Sequence, residues 1–243
     1  MPDRLAELAT GLARVRSRIV DACAAAGRDR TEVTLVAVTK TYPADDVLHL
    51  AELGVRDVGE NRDGEAAAKA AAVAAAGESV RWHFVGQLQR NKCRSVVGYA
   101  DLVHSVDGVR LADALARAAE QHRESPLDVL VQVSIDGDPE RGGAVPAGDT
   151  PGDPDRDLDR IAERVAAAAS LRLRGVMAVA PLDWTADRAF ARLAEVAQTL
   201  RVGYPTATIV SAGMSGDLET AIAFGATHLR IGSALLGNRA ALR

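Results

Sequence analysis

The chain is poor in several things. Of its 243 residues only 3% are aromatic and two are cysteine, Cys23 and Cys93, far apart in sequence. They make neither a disulfide framework nor a CxxC site, so a reducing cytoplasm is the expected location. No run approaches the ~18 apolar residues that would cross a bilayer. The opening stretch MPDRLAELATGLARVRSRIV carries charges every few residues, which excludes a secretory core. GxGxxG, GxxxxGK[ST] and HExxH are all missing, so dinucleotide, Walker-type and zincin readings lack support. The histidines, His49, His83, His104, His122 and His228, show no metal-ligand spacing. A net charge of −4 argues against a nucleic-acid or anionic-membrane partner held by bulk electrostatics. Lysine is scarce too: of 29 basic residues only Lys40, Lys69 and Lys92 are lysines.

What remains is 48% hydrophobic and 26% charged, the profile of an ordinary globular protein with a large core of Ala, Val, Leu and Ile. Residues 3–26 carry Leu5, Leu8, Leu12, Val15 and Ile19 at helical spacing, and Gly27 stops the pattern. A rhythm follows. Strand-like runs at 33–39, 55–58, 81–85, 101–105, 127–134, 171–180, 207–211 and 227–231 alternate with helical segments, including one over about 89–98. The first run, VTLVAVT, is continuously apolar or β-branched, as suits a strand buried on both faces. Alternation calls for a parallel sheet with helices outside, and eight units fit a (β/α)₈ TIM barrel better than a doubly wound sheet. The expectation is one domain over 1–243, with a leading helix at 1–27 and a long acidic, solvated loop at 136–157.

Chemistry in such barrels sits at the C-terminal strand ends. There the first strand ends in Lys40, where desolvation would free the amine for Schiff-base chemistry, unless it simply snorkels to solvent. SAGMSGDLETAI (211–222) and RIGSALLG (230–237) follow the seventh and eighth strands. Gly-containing turns opening onto helices there suit a phosphate, although Ser215 or Asp217 could merely cap a helix. Arg230 ends the eighth strand, either facing a ring nitrogen or forming a rim salt bridge. An amine and a phosphate site together suggest a phosphorylated aldehyde, either pyridoxal 5′-phosphate or an aldolase substrate.

The motifs VAVTKTYP (36–43), GENRDGE (59–65), WHFVGQLQRNK (82–92), LRLRGVMAVAP (171–181), SAGMSGDLETAI and RIGSALLG occur in that order. Together they resemble the pyridoxal phosphate homeostasis protein family, whose barrel is similar to the alanine racemase N-terminal domain. The resemblance spans nearly the whole chain. It implies a PLP-binding barrel with the cofactor as an internal aldimine on Lys40 and its ring nitrogen paired to Arg230. It also implies phosphate contacts from Ser211, Gly213, Met214, Ser215, Gly232 and Ser233, with Asn61 lining the pocket. Such proteins regulate intracellular PLP without an established catalytic activity. The chain departs from the family pattern with Thr39 for a serine, Val58 for a phenylalanine and Gln87 for a histidine.

Three functions are thus weighed: a PLP carrier, a PLP-dependent racemase of the same fold type, and a cofactor-free aldolase. A racemase needs a second acid/base opposite Lys40, for which Tyr42 and His83 are the nearest candidates, and its fold type usually adds a β-domain for which the eight units leave no room. The carrier is the expectation, as a monomer, with apo-PLP enzymes as recipients.

Overall fold

The computed structural model describes residues 3–138, 142–146 and 153–237. Eight parallel strands close into a barrel in sequence order: β1 (Thr34–Val38), β2 (Asp57–Glu60), β3 (Arg81–Phe84), β4 (Leu102–Val106), β5 (Leu127–Gln132), β6 (Leu171–Met177), β7 (Ile209–Ser211) and β8 (His228–Ile231). Closure is made by β1 on β8, with Val36 level with Arg230. Helices α1 (Arg4–Ala25), α2 (Ala44–Glu52), α3 (Asp63–Ala75), α4 (Cys93–Val96), α5 (Val109–His122), α6 (Leu158–Ala167), α7 (Ala186–Gly203), α8 (Leu218–Ala223) and α9 (Ser233–Leu236) surround it. The expected (β/α)₈ barrel is therefore observed. The segment read as one helix over 89–98 is instead a 3₁₀ turn, Arg90–Lys92, and the single turn of α4.

Side chains alternate across each strand, so each contributes to two compartments. Outward residues such as Val58, Phe84, Val103, Val176, Val210 and Leu229 join the helices in one large apolar cluster. Inside the barrel, Leu102, Leu130 and Met177 form a small separate cluster, touched by Ile209. Much of the remaining interior is polar: His83, His104, Ser211, His228 and Arg230 are all buried.

The leading helix does more than cover apolar surface. Asp3 caps α1 by accepting from the Leu5 amide, and Leu8, Leu12, Val15 and Ile19 are buried beneath it. It packs on α2, α8 and α9. Gly11 permits a backbone approach that no side chain would: a Cβ there would lie 2.3 Å from the Leu235 carbonyl oxygen.

Part of the loop expected to be solvated is tucked in. Ala144 and Val145 are buried, and two isolated bridges tie Val133 to Ala144 and Val145 to Asp157. Asp155 accepts from the Arg110 amide at 2.8 Å, satisfying a free donor in the first turn of α5. Residues 139–141 and 147–152 of this loop lie outside the described residues.

Candidate functional site

A cavity of about 480 Å³ opens at the C-terminal mouth of the barrel. Its wall includes Lys40, Asn61, Met214, Ser215, Gly216, Arg230, Gly232 and Ser233, together with Val38, Val85, Gly86 and Val179. Seven of the nine residues singled out from sequence thus meet on one surface. Among the described wall residues none is acidic, and two are cations.

Lys40 follows β1 and is exposed at the mouth, so the desolvation expected for it is not found. What is built around it is backbone geometry. Thr41 has φ +69°, a left-handed conformation that a β-branched residue rarely adopts. The strained turn is held by the Glu65 carboxylate, which accepts from the Thr41 amide, and by the Tyr42 amide donating to the Thr39 carbonyl at 3.0 Å. Lys69 supplies the anchor. Its buried ammonium donates to the Thr39 carbonyl (2.8 Å), Glu60 Oε1 (2.7 Å) and Glu65 Oε1 (2.9 Å), and Thr39 Oγ1 also donates to Glu60 Oε1 (2.7 Å). All three ammonium donors are used. Burial raises the Glu60 pKa against these bonds. Burial would also raise that of Glu65, but hydrogen bonds from Lys69 and Thr41 outweigh it and lower it.

On the far side, the loops after β7 and β8 are stitched together. Ser215 Oγ accepts from the Ala234 amide (3.2 Å) and from Ser233 Oγ (3.3 Å). Asp217 turns back to accept from the Met214 amide, and neither Ser215 nor Asp217 caps α8 through its side chain. The amides of Ser215 and Gly216 meet no protein acceptor among the described residues. Arginines of α1 hold the same loops from outside: Arg18 donates to the Ser215 carbonyl (2.9 Å), Arg14 to that of Ala234 (3.3 Å) and Arg4 to that of Leu236 (3.2 Å).

Arg230 forms the floor. Nη1 donates to Ser211 Oγ at 2.7 Å and Nη2 to the Ala178 carbonyl at 2.8 Å. No carboxylate pairs with it among the described residues, so the alternative of a rim salt bridge is not realised. Burial pushes its pKa down to about 10. Ser211 and Gly213 are not in the cavity wall. The Ser211 hydroxyl lies buried behind Arg230, where His104 Nδ1 also reaches it at 2.9 Å. Gly213, at φ +88°, lies where a Cβ would meet Ala221 Cβ at 2.5 Å, and its carbonyl accepts from the Arg230 amide at 3.0 Å. Both therefore shape the site from behind.

Sequence spacing missed the interior histidines. His83, His104 and His228 come from three strands, yet their ring centroids lie 5.1–6.4 Å apart. They are not a metal centre: His83 and His104 spend nitrogens on one another at 2.9 Å, and no metal-binding group occurs among the described residues. The two suggested acid/base candidates face elsewhere. Tyr42 donates to the Gly237 carbonyl at 2.6 Å, His83 is inside the barrel, and neither lines the cavity.

The alanine racemase N-terminal domain model matches residues 12–240. The pyridoxal phosphate homeostasis protein of Mycobacterium tuberculosis is 47% identical, over 98% of this chain and 95% of that protein. The chain belongs to the pyridoxal phosphate homeostasis protein family. Among solved structures of similar shape is PipY of Synechococcus elongatus, determined with PLP bound: 33% identity, TM-score 0.77, covering 95% of this chain and all (100%) of that one. An alanine racemase from Clostridium difficile shares the fold at TM-score 0.65 with 13% identity, and this chain covers 57% of it. The family's barrel is the shared element. No helix among the described residues is long and apolar enough to cross a membrane.

Proposed function

We propose that this protein binds pyridoxal 5′-phosphate in the mouth cavity and serves intracellular PLP homeostasis in the cytoplasm, without catalysing turnover. The observation that carries the reading is the convergence of Lys40, Arg230, Ser215 and Ser233 on one cavity whose described wall residues include no carboxylate. A dianionic aldehyde suits that wall: cations offset its charge, and hydroxyls and free amides can bond its phosphate. Asn61 adds a buried Oδ1 without a protein partner among the described residues. PLP-bound PipY and the names of the curated relatives support the same ligand.

When bound, the cofactor supplies an aldehyde that a primary amine captures as a Schiff base, and Lys40 is the wall residue able to do so. Met214, Ser215, Gly232 and Ser233 hold the phosphate end, with Gly213 and Ser211 supporting them from behind. Arg230 faces the ring nitrogen as a donor and leaves it unprotonated, which weakens the ring as an electron sink. Among the described wall residues Lys40 stands without a second acid/base group opposite it, which fits a carrier. The chain acts as one PLP-binding unit, as a monomer, with apo-PLP enzymes as recipients.

Absorbance of the purified protein, followed by borohydride reduction and peptide mapping, tests this reading. A pyridoxyl group on the Lys40 peptide is expected. A colourless protein that gains no colour with added PLP, or a label confined to other lysines, overturns it. Conversion of L-alanine to its enantiomer at enzyme-like rates would replace the carrier by a racemase.

A further inference from the structure

A continuous chain of hydrogen bonds crosses the barrel interior from its N-terminal face to the mouth cavity. Asp57, the first residue of β2, borders a separate depression of about 310 Å³ on the N-terminal side, and its side chain is 17% exposed. Asp57 Oδ1 contacts His83 Nε2 at 2.9 Å. His83 Nδ1 contacts His104 Nε2 at 2.9 Å, and His104 Nδ1 contacts Ser211 Oγ at 2.9 Å. Ser211 Oγ then accepts from Arg230 Nη1 at 2.7 Å.

The two ends dictate the direction. A guanidinium can only donate and a carboxylate can only accept. Ser211 Oγ therefore receives from Arg230 and passes its own hydrogen to His104 Nδ1. His104 must then carry its hydrogen on Nε2 and give it to His83 Nδ1, and His83 must carry its own on Nε2 and give it to Asp57. Two neutral imidazoles satisfy every link.

One extra proton reverses the upper half. A pair of rings with three hydrogens on four nitrogens keeps one toward Asp57 and one between the rings, so the third lies on His104 Nδ1 whichever ring is formally charged. Ser211 Oγ then faces two donors, Arg230 and His104, and its own hydrogen must leave the chain.

We propose that Ser211, His104, His83 and Asp57 are positioning residues that fix Arg230 from behind, and that one proton taken up by the histidine pair from the N-terminal face resets the hydrogen bonding of Arg230 in the cofactor cavity. The cavity thereby senses pH at the opposite end of the barrel. Its cofactor readout rests on the PLP reading above, whereas the chain itself does not. Other groups bear on the pair. His228 from β8 stands 6.0 and 6.4 Å from the two rings, with Nδ1 at 3.0 Å from Thr227 Oγ1. Arg81 Nη1 on β3 is 3.7 Å from Asp57. The apolar side, Leu102, Leu130 and Met177, offers no charge. Burial, then the charges of His83 and Arg230, hold His104 well below the ordinary imidazole range, while burial of Asp57 is outweighed by His83, which keeps its carboxyl low. The N-terminal end of the chain thus presents an ionised carboxylate.

Imidazole ¹⁵N NMR on the apo protein tests the chain without any cofactor. Both rings should be single Nε2–H tautomers at neutral pH, and acidification should add one proton with a shared midpoint seen at His104 Nδ1. Asp57→Asn should lower that midpoint by about one pH unit or more, by removing the carboxylate that favours the cation. In protein loaded with PLP, the visible band should shift at the same midpoint, and Ser211→Ala should flatten the band's response while the NMR titration persists. An Nδ1–H tautomer of His104 at neutral pH, independent midpoints, or a visible band that stays constant through the pair's titration overturns the proposal. Failure to take up PLP, with the NMR result as expected, would overturn the PLP reading and leave the chain standing.

Discussion

The ammonium of Lys69 donates to the carbonyl of Thr39 at 2.8 Å, so a buried lysine anchors the residue immediately before Lys40. The same nitrogen joins two carboxylates from the start of α3 and the end of β2. The strained Thr41 turn and the direction of Lys40 therefore depend on a side chain that never enters the cavity.

Lys69→Met should be severe. It leaves Glu60 buried without its cation, and breaking a buried pair costs about 3–5 kcal/mol. The sign with pH follows from the two carboxylates. The raised Glu60 pKa means that its burial costs stability as pH rises through that pKa, and losing Lys69 moves this window higher. The lowered Glu65 pKa means stability present at neutral pH and lost as pH falls through it. Without Lys69 the deficit should be largest at neutral pH and shrink in mild acid. Urea denaturation at several pH values reads this, and a loss of under about 1 kcal/mol would refute the anchoring role.

Lys40→Ala should behave oppositely. Lys40 is exposed and makes no hydrogen bond or ion pair among the described residues, so stability should change by no more than about 0.5 kcal/mol. The visible absorbance of added PLP and borohydride labelling should both be lost. Retained colour with an unchanged label would move the amine elsewhere.

Arg230→Glu should place a carboxylate where a guanidinium now faces the cavity. The ring nitrogen of bound PLP would then gain a proton, and its absorbance should shift. An unaltered spectrum in a folded variant would show that Arg230 does not face the ring.

His228 should make the barrel acid-labile. Burial lowers its pKa to about 4, from about 6.5 in the unfolded chain. Its contribution is complete above the unfolded value and is lost as pH falls through the folded one, because the unfolded chain binds the proton first. The slope for one proton is about 1.4 kcal/mol per pH unit. His228→Asn should flatten the stability profile between pH 4 and 6.5. A profile as steep as that of the parent protein would assign the acid lability to other groups, His104 foremost.

Gly11→Val tests the buttressing of the mouth by α1. The added Cβ would collide with the Leu235 carbonyl, so α1 and α9 must separate. Overpacking of this kind costs about 1–3 kcal/mol, and PLP affinity should weaken along with stability. Stability lost with affinity intact would show that α1 supports the fold but not the cofactor turns.

Some of this was open to reading from residues alone. Eight apolar runs separated by helical patterns announce a parallel barrel, because strand and helix periods differ and each βα unit must bury its own face. Lys40, Ser215, Arg230, Gly232 and Ser233 could be nominated because strand ends converge at one mouth. Rarity is informative as well: in a chain that uses arginine almost everywhere, Lys69 is where a slender buried amine reaches a carbonyl and two carboxylates. The motif places Ser211 at the mouth, yet strand alternation turns its hydroxyl inward beneath Arg230. The sequence offers Tyr42 and His83 as acid/base candidates, yet each is tied to a partner outside the cavity.

Sequence by itself determined the fold class and the family, since these follow from local pattern and from motifs in order, and it named the residues proposed to hold a phosphorylated aldehyde. Only the tertiary structure decided which groups work together. Closing β8 against β1 sets Arg230 level with Val36, and β2, β3, β4 and β7 point Asp57, His83, His104 and Ser211 into one interior. Those residues are remote in the chain and carry no shared spacing. What joins them is the two-residue alternation of each strand combined with barrel closure, a relation that exists only once all eight strands are in register.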